Sequence, residues 1–178
     1  GWKWDASTPV TDNMEFVAVY VTPVVSINGR EFGTIHEALD FAIDGRTIKL
    51  LTDIDLEMPI EIFDDKDVTI DLNGRKLLMT NGHDVCINKE CGNLTIDDSV
   101  GGGCVVGDVV SVGGFIWLKN GRYEGFVHAG ESMCGGMLVT GGMFRYPVEE
   151  WYLGDGLMCA PTDDDMFVIK ERPVHKAT

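Results

Sequence analysis

One outline recurs along the middle of this chain. Thr47-Ile48-Lys49-Leu50, Val68-Thr69-Ile70-Asp71-Leu72-Asn73-Gly74, Thr95-Ile96-Asp97-Asp98, Trp117-Leu118-Lys119-Asn120 and Leu138-Val139-Thr140-Gly141 align with matching positions 22, 26, 22 and 21 residues apart. Each segment is short, places an apolar residue at every second position and runs into a glycine-rich turn. Periods of this length are the signature of stacked coils, because one such unit cannot bury its apolar face alone.

Superposition of the segments predicts which side chains point inward. One column reads Ile48, Ile70, Ile96, Leu118 and Val139, entirely aliphatic. The next reads Lys49, Asp71, Asp97, Lys119 and Thr140, entirely polar. Neighbouring side chains of a strand face opposite ways, so the first column is expected to fill a tube and the second to form a ladder outside it. A second inner column begins with Leu50 and Leu72 and is lost at Asp98 and Asn120, where the strand is expected to turn. The expected fold is all-β: a parallel β-helix, or solenoid, of about five coils, from Thr47 to Gly142. Corners are marked by Asn73-Gly74, Gly101-Gly102-Gly103, Gly113-Gly114, Asn120-Gly121, Gly135-Gly136 and Gly141-Gly142, where positive φ is expected. Gly121-Arg122-Tyr123 and Gly142-Met143-Phe144, again 21 apart, predict two aromatics stacked on one another.

Ahead of the coils, Val24 to Ile27 followed by Asn28-Gly29 predicts a strand and tight turn. Thr34-Ile35-His36-Glu37 is a capping box opening a helix over residues 34–44, with Ile35, Ala38, Leu39, Ala42 and Ile43 on its apolar face and Gly45 as its stop. Such a helix would plug the open end of the first coil, whose strand edges otherwise invite association. Behind the coils, residues 147–172 are expected to cap the other end. Pro147 to Leu153 reads as a short helix, then Leu157–Ala160 and Met166–Lys170 as a hairpin.

Twenty-nine acidic against 14 basic residues give a net charge of −15, which argues against nucleic acid and anionic membranes and permits cations and neutral glycans. No run approaches the roughly 20 apolar residues that span a bilayer. Five cysteines, Cys86, Cys91, Cys104, Cys134 and Cys159, form no zinc-finger spacing, and buried free thiols are the expectation. The chain lacks an initiator Met and a signal peptide, so it reads as a piece of something longer.

Two resemblances follow from these residues. Gly1-Trp2, Thr8-Pro9-Val10-Thr11 and the alternation from Met14 to Val21 resemble the end of the Listeria-Bacteroides repeat of internalin-type surface proteins, so residues 1–22 read as the remnant of such a unit. Thr34-Ile35-His36-Glu37-Ala38-Leu39, Val68 to Gly74, Gly92-Asn93-Leu94-Thr95-Ile96-Asp97-Asp98-Ser99 and Gly141 to Gly156 together look like the short pectate-lyase-like right-handed parallel β-helix modules of bacterial cell-surface proteins, which implies a right-handed winding here. That resemblance covers the β-helix domain, residues 23–172, leaving 173–178 as a tail. It implies a secreted or cell-surface location with neighbouring modules in the same longer chain, and it carries no catalytic residues across.

The candidate chemistry lies on the outer ladder. Asp71 and Asp97 are expected on adjacent strands about 4.8 Å apart, with Asp53 and Asp98 near them. Crowded carboxylates of this kind serve as a calcium site or as the paired acids of a polysaccharide lyase or glycoside hydrolase. A solvated charge row bounded by Lys49 and Lys119 is the competing reading. Trp117 precedes inward Leu118 and is therefore expected to face outward, where an aromatic ring invites sugar stacking. Trp117, Lys119, Asp71 and Asp97 are thus the expected ligand-binding residues of a non-enzymatic adhesin or spacer unit for glycan or protein. Asp71 and Asp97 are the alternative catalytic or calcium-binding pair. His36, His83, His128 and His175 are unclustered and receive no role.

Overall fold

The computed structural model describes residues 21–80, 85–130 and 135–173. The chain starts with a hairpin, β1 (Val25–Ile27) and β2 (Arg30–Phe32), whose turn puts Asn28 and Gly29 at positive φ. Helix α1 (Ile35–Phe41) follows, with the Thr34 hydroxyl accepting from the Glu37 backbone N–H at 3.1 Å. The helix ends earlier than expected: Ala42 is already extended, Gly45 lies in the next turn, and Ile43 is 62% exposed instead of joining the apolar face. Ile35, Ala38 and Leu39 make the buried face, against β1, β2 and β3 (Arg46–Leu50).

From β3 the chain winds as a β-solenoid of about four turns. The first turn is completed by β4 (Ile54–Asp55) and β5 (Ile60–Ile62). The second holds β6 (Val68–Asp71), β7 (Lys76–Leu78) and β8 (Val85–Lys89). The third holds β9 (Asn93–Asp97), β10 (Cys104–Val106) and β11 (Asp108–Ser111), and the fourth β12 (Phe115–Leu118), β13 (Arg122–Tyr123) and β14 (Val127–Ala129). β15 (Gly136–Val139) and β16 (Met143–Phe144) add the first two strands of another turn. A 3-10 helix, Glu150–Tyr152, and the antiparallel pair β17 (Leu157–Pro161) and β18 (Phe167–Glu171) follow, β18 pairing with β16.

Corresponding strands stack in parallel into three sheets. Sheet A runs β15-β12-β9-β6-β3 and is extended by antiparallel β1 and β2; sheet B runs from β4 through β7, β10, β13 and β16 to the closing hairpin; sheet C is β5-β8-β11-β14. The register aligns Ile48, Ile70, Ile96, Leu118 and Val139 as one column, all at 0% exposure. Sheet B faces it with Leu77, Val105, Tyr123 and Phe144, and sheet C with Ile60, Ile87 and Val109. Each fully buried aliphatic side chain contributes about 1.5–3 kcal/mol, so the column repeats the same gain at every rung. The expected aromatic stack is present: the Tyr123 and Phe144 rings lie 4.9 Å apart and 9° from parallel.

The corner glycines divide into two groups. Gly74, Gly101, Gly102, Gly121 and Gly142 adopt positive φ as expected, whereas Gly103, Gly113, Gly114, Gly135, Gly136 and Gly141 do not. At Gly141 the requirement is space: a Cβ there would meet the Lys119 carbonyl oxygen of the preceding turn at 2.1 Å. The expected N-terminal strand, Trp2, Trp4, His83, Cys134 and His175 lie outside the described residues. Cys86 and Cys104 are buried and Cys159 half-buried, but Cys91 is exposed, contrary to expectation for a core thiol.

Candidate ligand-binding face

The outward residues of sheet A form three rows. Register pairs Thr47, Thr69, Thr95, Trp117 and Leu138 across the middle of the sheet. Toward the strand ends, Lys49, Asp71 and Asp97 pair in series, with Lys119 on the following turn. At the strand starts Asn93 pairs with Phe115, and Asp67 lies beside Asn93, accepting from its backbone N–H at 3.1 Å and its side-chain amide at 2.7 Å.

A shallow cleft of about 330 Å³ opens on this face, lined by Asp67, Thr69, Asn93, Thr95, Phe115 and Trp117 among others. Of the four residues expected at the site, Trp117 alone borders it. Phe115, Asn93, Asp67 and the two threonines were not singled out from the sequence; their shared feature is a position two or four residues before the recognised outer column. That offset is legible once the register is known.

Trp117 is half-buried and held on two sides. Its indole N–H donates to Thr140 Oγ1 at 2.8 Å, and the Lys119 ammonium lies 4.2 Å from the ring centroid. Such a cation–ring contact is worth about 0.5–1 kcal/mol at an exposed site. The side chain is thereby fixed before any ligand arrives.

The acids of the ladder have other work. Asp71 is only 7% exposed, so it is no solvated rung. Its Oδ1 accepts from the backbone N–H groups of Asn73 at 2.9 Å and Ser99 at 3.0 Å, its Oδ2 accepts from the Ser99 hydroxyl at 2.7 Å, and Lys49 Nζ stands 3.9 Å away. Asp97 Oδ1 accepts from its neighbour's N–H, that of Asp98, and from the Asn120 side chain, both at 2.8 Å. Asp53 Oδ1 accepts from the Lys76 N–H at 2.9 Å. Lys119 turns to Trp117 instead of closing the charge row. Asp98 continues the second inner column as a buried carboxylate, receiving the N–H groups of Gly74 and Gly103 at 2.7 Å each.

The pattern extends beyond these four: Asp44 accepts from the Asp67 N–H at 3.1 Å and Asp108 from the Phe126 N–H at 2.7 Å. Acidic side chains at the corners thus tie one turn to the next by charge-assisted hydrogen bonds to backbone donors that the strands leave unpaired. Among the described residues no group of three or more His, Cys, Asp or Glu is placed to hold a metal ion.

Comparison of the chain with family models, with curated proteins and with solved structures gives no match. The reading of this face therefore rests on its own geometry.

Lys89 was also missed. It occupies an inward position of β8, in register with Ile62 and Ser111, and is 0% exposed. Its ammonium donates to the carbonyls of Asp64 and Lys66, both at 3.3 Å. Burial pulls its pKa below the ordinary lysine range, opposed in part by the charges of Asp64 and Asp67. The remaining histidines are apart from the cleft: a His36 ring nitrogen lies 3.2 Å from the Pro59 carbonyl oxygen, and His128 is exposed on sheet C.

Proposed function

We propose that this domain is a non-enzymatic module of a secreted or wall-attached bacterial protein: a rigid β-helical spacer whose sheet A outer face binds a neutral glycan. The observation that carries this reading is the cleft bounded by Trp117 and Phe115 on one side and by Thr69, Thr95, Asn93 and Asp67 on the other. Sugars offer an apolar C–H face to aromatic rings and hydroxyls to threonine, amide and carboxylate groups, and a shallow open groove suits a chain ligand. The net charge of −15 favours a neutral glycan over an acidic one. The winding is read as right-handed, in keeping with the strong preference of parallel strand–crossover–strand connections. The resemblance to cell-surface modules supplies the location.

The lyase or hydrolase alternative draws less support. A general acid or base must present an oxygen to substrate, while Asp71 is buried with both oxygens engaged by Asn73 and Ser99, and Asp97 has its Oδ1 engaged by Asp98 and Asn120. A glycan array probed with the wild type and with Trp117→Ala tests the proposal. Retained signal on neutral oligosaccharides for the first and loss for the second is expected. Turnover of an acidic polysaccharide that disappears in Asp71→Asn or Asp97→Asn would replace it with the enzymatic reading.

A further inference from the structure

Four Asn-Gly pairs stand in the chain, opened by Asn28, Asn73, Asn81 and Asn120. In such a pair the backbone nitrogen of the second residue can reach the side-chain carbonyl of the first, because glycine has no Cβ to obstruct the approach. Reaction between them needs a loose side-chain amide, an unpaired glycine N–H and a connecting peptide unit that is free to rotate. The Asn81 pair lies outside the described residues. The other three meet these conditions unequally.

Asn73 is held at every point. Its side-chain amide donates to the Leu50 carbonyl at 2.7 Å, its own N–H donates to Asp71 Oδ1 at 2.9 Å, and the Gly74 N–H donates to Asp98 Oδ1 at 2.7 Å. Asn120 is held at two: its side-chain amide donates to Asp97 Oδ1 at 2.8 Å, and its carbonyl oxygen accepts from the Tyr123 hydroxyl at 2.9 Å. Tyr123 is fully buried, so this bond pins the Asn120–Gly121 peptide unit from inside the solenoid. Asn28 and Gly29 form instead the exposed tip of the β1–β2 hairpin. Among the described residues, no hydrogen bond is made to the Asn28 side chain, to its carbonyl oxygen or to the Gly29 N–H.

We infer that Asn28 is a site of spontaneous covalent modification, its side chain closing onto Gly29 and reopening as isoaspartate. The Gly29 nitrogen loses its proton to water and attacks Asn28 Cγ. The new C–N bond completes a cyclic imide, while the bond from Cγ to the side-chain nitrogen breaks and that nitrogen leaves as ammonia, carrying the proton. Water then opens the imide. Opening at the side-chain carbonyl gives aspartate; opening at the main-chain carbonyl gives isoaspartate, whose backbone runs through the side chain and is longer by one methylene. Closure requires the central peptide unit of the turn to swing about, which an unbonded hairpin tip does at lower cost than a corner tied to its neighbours. The turn sets the register of Val25 with Phe32 and of Ile27 with Arg30, and helix α1 packs against both strands. Isoaspartate at position 28 therefore loosens the N-terminal cap. The inference is independent of glycan binding on sheet A.

Ageing of the full chain in mildly alkaline buffer tests it, with peptide mapping of the products and isoaspartate located by its methylation with an isoaspartyl methyltransferase. Conversion at Asn28 is expected to run more than about tenfold faster than at Asn73 or Asn120, because opening a free turn costs little and opening a tied corner costs much of the global stability. In denaturing urea the three rates are expected to converge, and Asn28→Gln is expected to suppress conversion at its own position. The converted protein, separated by its added negative charge, is expected to melt below wild type. Freshly prepared Asn28→Asp, with the same charge and no added methylene, is expected to melt with wild type. Folded-state rates at Asn73 or Asn120 that match the rate at Asn28, an inert Asn28 under conditions where the unfolded chain converts, or a converted protein that melts with Asn28→Asp would each overturn the inference.

Discussion

Asp98, at the end of the third turn's first strand, accepts the backbone N–H of Gly74 from the turn before at 2.7 Å, and its other oxygen takes the N–H of Gly103 at the same distance. One buried carboxylate thus closes two corners of the solenoid. Asp98→Ala strands both donors, and at about 1.5–3 kcal/mol for a hydrogen bond to a charged group the expected loss is about 3 kcal/mol or more. Asp98→Asn keeps one acceptor oxygen and is expected to lose roughly half as much. Urea midpoints of the two variants against wild type measure this; equal, small losses in both would show that the carboxylate does not hold the corners.

Gly141 and Gly130 separate crowding from conformation. Neither has positive φ, yet a Cβ on Gly141 would meet the Lys119 carbonyl oxygen at 2.1 Å, while on Gly130 its nearest contact is an ordinary 3.6 Å. Gly141→Ala is expected to destabilise by about 1–3 kcal/mol, the usual cost of overpacking. Gly130→Ala is expected to be neutral or slightly stabilising, because it restricts only the unfolded chain. Thermal melts of the pair decide it.

Lys89 predicts an effect with a definite sign in pH. Burial holds its native pKa below the ordinary value of 10.5, so between the two the unfolded chain binds more protons than the folded one. Native stability at this site is therefore lowest when the amine is charged and recovers as pH climbs toward 10.5. Lys89→Met, similar in volume, is expected to be more stable than wild type at neutral pH by about 1 kcal/mol, with the advantage shrinking as pH rises. A constant difference across pH would contradict the buried charge.

Cys86 acts in the opposite direction. Burial pushes its thiol up to about 12 from 9.0, so above pH 9 the unfolded chain sheds a proton that the folded chain keeps, and stability falls as pH rises toward 12. Each unit of offset corresponds to about 1.4 kcal/mol. Cys86→Ala is expected to begin from a lower stability, through the cavity it leaves, and to show a shallower alkaline decline. Parallel slopes above pH 9 would argue against the thiol as the source.

Much of the fold was legible because the interior of a solenoid repeats. Ile48, Ile70, Ile96, Leu118 and Val139 share one environment, so one residue type recurs at one spacing. The capping box at Thr34 and Glu37 and the closing hairpin were readable from local rules. The polar corners were not. Asp71 and Asp98 look like surface acids in sequence, and only the meeting of residues more than 20 positions apart turns them into backbone staples. Lys89 was missed for a related reason: it stands at an inward position, and nothing local foretells two carbonyls within reach. At the candidate face, Trp117 was found by its alternation with Leu118, whereas Phe115 and Asn93 acquire meaning only through the register that pairs them.

The stacking of the rungs is tested most directly by nuclear Overhauser contacts among selectively labelled isoleucine, leucine and valine methyl groups. The expected result is a chain of contacts from Ile48 to Ile70, Ile70 to Ile96, Ile96 to Leu118 and Leu118 to Val139, with none joining Ile48 to Ile96. Contacts that skip a rung, or no contact between Ile70 and Ile96, would contradict the solenoid and with it the face that carries Trp117.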